Sequence, residues 1–122
     1  MKIEDHLPSL NTCKKMKELG WEKPTLFQWY QDWKDNWHVS QLQAQETWNY
    51  MMAPLASEIL EELPYDFDYP NENKNYLRED FQESSDIYVC WYRGSNWPHG
   101  RGSTEAEARA KMWIYLKENK LI

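Results

Sequence analysis

The segment Ile87–Tyr92 (IYVCWY) is apolar at every position, and a capped amphipathic helix ends the chain behind it. A run this short and this apolar predicts a central strand covered on both faces, not a helix. Thr104-Glu105-Ala106-Glu107 has the form of a capping box. Ala106, Ala110, Trp113 and Leu116 follow it on one stripe that runs on to Lys117, and Asn119 is the stop. A strand with two apolar faces beside a helix with one apolar stripe constrains the fold to a sheet with helices laid on it.

The other elements agree. Ser9 is an N-cap for a helix to Leu19, with Leu10, Cys13 and Met16 at helical spacing and Gly20 at the left-handed position beyond its end. Thr25–Gln31 reads as a strand that turns near Asp32–Asn36 and pairs with Trp37–Val39. Thr47–Met52 alternates as a short strand. Pro54 opens a helix whose stripe is Leu55, Ile59, Leu60 and Leu63, and Pro64 closes it. Tyr65–Tyr69 (YDFDY) alternates rings inward and Asp66 and Asp68 outward, and Asn75–Gln82 returns as its partner. This order predicts an α+β fold: an antiparallel sheet of about four to five strands with about three helices packed on it. Residues 1–122 are read as a single domain.

Charge is segregated along the chain. Residues 41–86 hold eleven acids against Lys74 and Arg78, whereas residues 87–122 carry six bases and three acids, within a total of −6. An acidic field of this kind repels nucleic acid and steers basic partners. Eight Trp, eight Tyr and three Phe are more than 122 residues can hide completely, which predicts rings at the surface or in a homo-oligomer contact. No stretch nears the ~20 apolar residues of a membrane span. The polar start, Met-Lys-Ile-Glu-Asp-His, lacks the apolar core of a signal peptide, so the expected setting is cytoplasmic, with Cys13 and Cys90 as reduced thiols.

Motifs for chemistry are scarce. His6, Cys13, His38, Cys90 and His99 show no metal-ligand spacing, so neither metal nor cofactor is expected. Cys90 sits within an apolar strand, where burial disfavours the thiolate, and no serine lies in a nucleophile elbow. Asp66 and Asp68, one strand repeat apart, have the residue types of a glycosidase pair, but alternating acids on a wet strand face more often solubilise. The stretch Arg93–Ser103 is a loop with three glycines leading into a helix N-terminus. There Arg93 and Arg101 suit a phosphate or carboxylate, with Trp97 as a stacking plate and His99 beside it.

Three segments, CKKMKELGWEKPTLFQWY, APLASEILEELP and STEAEARAKMWIYLKENKLI, resemble small proteins encoded by phages and prophages. The likeness spans roughly half the chain and lies in pattern, without catalytic motifs to carry over. It implies a non-enzymatic accessory protein in the bacterial cytoplasm that binds a host factor, such as a defence protein. On that reading the contact surface comprises Glu58, Glu61, Glu62, Asp66 and Asp68, with acids standing in for phosphates against a basic groove. The alternative is a binder of a nucleotide-like anion through Arg93, Trp97, His99 and Arg101. Direct binding to nucleic acid or membrane is not expected.

Overall fold

The computed structural model describes residues 2–41, 49–64, 66–67, 75–92 and 100–122, with the backbone only at Asp66, Phe67, Asn75 and Tyr76. The elements run as a 3-10 turn at Ile3–His6, α1 (Leu10–Glu18), β1 (Phe27–Gln31), β2 (Trp37–Ser40), β3 (Tyr50–Ala53), α2 (Ala56–Leu60), β4 (Asp66–Phe67), β5 (Asn75–Gln82), β6 (Ile87–Tyr92), β7 (Gly100–Gly102) and α3 (Glu105–Glu118). The architecture is α+β, and every strand pairing among the described residues is antiparallel.

The single sheet of about four to five strands is not what forms. The strands divide between two sheets, β2-β1-β3 and β4-β5-β6-β7, the latter gaining β4 only through Asp66–Tyr76 and Phe67–Asn75. The division has a local cause. Strand β1 spends both edges on its sequence neighbours, and Pro54 with α2 then carries the chain away before β5 and β6 pair as a hairpin. A second correction falls within 93–103, read from the sequence as a loop. Residues 100–102 form β7, in register with Tyr88, Val89 and Cys90.

Helix boundaries follow the capping chemistry. The Ser9 hydroxyl accepts from the Thr12 amide at 3.3 Å, and Gly20 takes φ +96° just past α1. At α3 the Thr104 hydroxyl accepts from the Glu107 amide at 3.2 Å. The Glu107 carboxylate does not close the box. It accepts instead from the Ser9 backbone N–H and, at 3.0 Å, from the Thr12 hydroxyl, tying the start of α3 to the start of α1. Helix α2 is shorter than the sequence stripe suggests.

Helix α3 is buried on two sides. Its Ala108 and Met112 lie under β7, and Trp113 meets Trp21 edge-on at 5.3 Å. The larger core joins Met16, Trp21, Ile59, Leu63, Cys90, Tyr92, Met112 and Leu116. A smaller one of Leu7, Cys13 and Ala53 sits between α1 and the first sheet, with Phe27, Trp29 and Val39 against it. Among the described residues no helix is long and apolar enough to cross a membrane.

Glu58 is a tether in this frame. One carboxylate oxygen accepts from the Leu55 N–H at 2.8 Å and caps α2; the other accepts from the Leu26 N–H at 3.2 Å and fastens the approach to β1. Glu58→Ala is expected to cost about 1–2 kcal/mol, because two N–H groups lose their acceptor. Chemical denaturation of the two proteins measures this. A Glu58→Gln variant, which keeps one carbonyl acceptor, should recover part of the loss.

A candidate partner-binding surface on the β5–β6 hairpin

The hairpin register sets Leu77 opposite Tyr92, Glu79 opposite Cys90 and Phe81 opposite Tyr88. The period of two directs these residues to the face that α3 covers, and Arg78, Asp80 and Gln82 to the other. Past the first turn of α3, toward the hairpin turn, that face opens to solvent. Every residue from Arg78 to Asp86 is exposed, and the stretch carries Glu79, Asp80, Glu83 and Asp86 against Arg78 alone. The turn is closed by Asp86 at φ +53°, a conformation Asp tolerates better than most residues. Phe81, 39% exposed, stacks on Tyr88 with centroids 4.7 Å apart and planes inclined 44°.

The hairpin is fixed to α3 by one arginine. The Arg109 side chain, 10% exposed, grips Glu79 as a fork, with Nε and Nη2 donating at 2.7 and 2.8 Å. Nη2 also donates to Glu105 at 2.7 Å, one helical turn back. Hydrogen bonding to Glu79 raises the guanidinium pKa above its already high value, so the charge is permanent. A cavity of 190 Å³ lies here, with Arg109 and Cys90 among its walls and Phe81, Tyr88 and Glu105 beside them. Arg109 is the one cation among its lining residues, against Glu79, Asp80 and Glu105, which leaves the cavity negative, and the two rings give it an apolar wall.

The acids expected on α2 and β4 are divided by the fold. Glu58 is the tether described above. Glu62 pairs with Lys23. Glu61 faces solvent. Asp66 lies in β4, and Asp68 falls outside the described residues. Among the described residues the acidic surface is therefore centred on the hairpin, which the overall charge of residues 41–86 signals but does not locate.

Of the arginine loop, Arg93, Trp97 and His99 lie outside the described residues. Arg101 is exposed on β7, where Gly100 and Gly102 face α3 and alternation directs Arg101 away from it. The first turn of α3 already holds two carboxylates, Glu105 and Glu107, both engaged by protein partners. An external anion would meet negative charge there.

Among the described residues no group of three His, Cys, Asp or Glu could hold a metal ion. His38 serves the β1–β2 turn, its Nε2 lying 2.7 Å from Asp32 Oδ2. That contact, with the Asn36 amide, holds the Asp32 carboxyl below its ordinary range. Burial, aided by the charges of Glu107 and Glu79 respectively, pushes both Cys13 and Cys90 thiols up to about 12. At about pH 8 both should therefore resist alkylation in the native protein and react once it is denatured, as mass spectrometry of the alkylated chain would read. A fast-reacting thiol in the folded protein would contradict this placement.

Comparison with protein-family models, with curated proteins and with solved structures finds no match to this chain.

Proposed function

We propose that this chain is a non-catalytic binding protein that engages a basic surface of a host protein through the β5–β6 hairpin. The observation that carries the reading is the exposed acidic run Arg78–Asp86 built around the Phe81–Tyr88 ring pair. Exposed rings anchor protein interfaces, and surrounding carboxylates steer and orient a cationic partner. A lysine or arginine of the partner entering beside Phe81 and Tyr88 meets ring faces and the Glu79 and Glu105 carboxylates together. The phage-type sequence pattern supports a bacterial cytoplasmic setting and a host target, with inhibition of a nucleic-acid-binding defence protein as the physiological use. Acids displayed on a rigid hairpin compete for the groove such a protein offers to phosphates.

The test compares quantitative affinity capture from bacterial lysate by the native chain, by Asp80→Lys with Glu83→Lys on the hairpin, and by Glu61→Lys on α2. The captured host protein should be lost from the hairpin variant by about tenfold or more, retained by the α2 variant, and released by raised salt. Equal capture by native and hairpin-reversed chains would overturn the proposal.

A further inference from the structure

A second cavity, of 330 Å³, opens between α1 and β3 on the opposite side of α1 from its lysine-rich ridge at Lys14 and Lys15 — its floor is Met16, Trp21, Met51 and Met52, and Lys17 and Glu22 stand on its rim. The floor is apolar and held in place. Met16 and Met51 are buried core residues, the Met52 sulfur lies 3.4 Å from the Thr25 hydroxyl, which donates to the Phe27 carbonyl, and the Trp21 indole N–H donates to the Lys23 carbonyl at 3.0 Å. Thioether side chains adapt to varied apolar shapes. The rim is different in kind. Lys17 and Glu22 carry opposite charges and line the same cavity, and their side chains make neither an ion pair nor a hydrogen bond among the described residues. Other cations here are committed: Lys15 pairs with Glu118, Lys23 with Glu62, and Lys14 lies over the Trp37 ring.

We infer that this cleft binds a free apolar α-amino acid, the carboxylate meeting Lys17, the ammonium meeting Glu22 and the side chain resting on the methionine floor. An unpaired cation and an unpaired anion flanking one apolar floor are complementary to a zwitterion with an apolar side chain. They match a purely apolar guest, a simple anion or a polyphosphate less well, because each of those leaves a rim charge unanswered or opposed. Size agrees, since the volume lies at the small end of the range of about 300–1,000 Å³ typical of ligand pockets. The adjoining Cys13 thiol donates to the Pro8 carbonyl at 3.6 Å and is pushed up to about 12 by burial, so the site binds without covalent chemistry.

The test is a titration of the full chain, labelled at its methionine methyl groups, with L-phenylalanine and L-methionine, followed by NMR. Saturable shifts are expected at Met16, Met51 and Met52 and not at Met112, which lies against β7 and does not line the cavity. Two single-charge analogues, 2-phenylethylamine and 3-phenylpropionate, should bind more weakly than L-phenylalanine. Lys17→Ala should weaken L-phenylalanine about tenfold and leave the amine unchanged; Glu22→Ala should leave 3-phenylpropionate unchanged. Both replaced side chains are exposed, so these variants remain folded. Absence of saturable shifts up to the solubility of L-phenylalanine would overturn the inference. So would equal binding of amino acid and analogues to all three proteins.

Discussion

Gly100→Ala is expected to lower the melting temperature by about 12 °C, from a loss of about 3 kcal/mol. An alanine Cβ at this position would overlap the Ala108 carbonyl oxygen and stand 2.9 Å from the Met112 amide nitrogen, both on the backbone of α3. Backbone cannot swing aside as a side-chain tip can, so either β7 leaves β6 or α3 lifts from the sheet. Gly102 repeats the constraint, since its added Cβ would overlap the Glu107 Cβ and lie 2.9 Å from the Ala108 nitrogen. Gly20→Ala is the informative contrast. A Cβ there meets nothing, and only the φ of +96° is strained, so the cost should be about 1 kcal/mol. Thermal and chemical denaturation of the three variants read these losses directly. If Gly100→Ala cost no more than Gly20→Ala, the close approach of β7 to α3 would be wrong.

Those two glycines also show where sequence reading stops. The α1 cap, the β1–β2 hairpin, β5, β6 and the Thr104 cap all follow from local chemistry that alternation and capping residues display. Strand β7 does not, because Gly-Arg-Gly has no β-former; it is a strand because the absence of Cβ lets it slide beneath α3 while pairing with Tyr88–Cys90. The split into two sheets is equally hidden, as it depends on which edges are already occupied. Helix α3 presents a partial case. The stripe Ala106, Ala110, Trp113 and Leu116 is buried as its spacing implies, but Ala108 and Met112 are buried as well because a second layer covers them. At the candidate site the acidity of residues 41–86 was legible, but its distribution was not. Glu58 is consumed by an N–H thirty-two residues away and Glu62 by Lys23, whereas Glu79 is positioned by an arginine on another element.

That arginine carries the second large effect. Arg109→Met should destabilise the protein by about 2 kcal/mol, although the replacement is apolar and close in length. The substitution leaves Glu79, whose side chain is still about a third exposed, without the two donors that hold it, and Glu105 loses its partner too. Removing one member of a fully buried pair costs about 3–5 kcal/mol; here water reaches both carboxylates and reduces the penalty. Arg109→Lys should fall between, since a point charge cannot engage both Glu79 oxygens in one plane. The double variant Arg109→Met with Glu79→Leu is the decisive case. It replaces the ion pair by apolar contact and should recover most of the stability, whereas additive losses would mean that the arginine acts through packing alone. Affinity for the captured partner should separate from stability. In Arg109→Met the hairpin loses its brace to α3 while keeping its acids, so binding weakens through poorer positioning. In the double variant a carboxylate is also removed, so binding stays weak although the fold is restored.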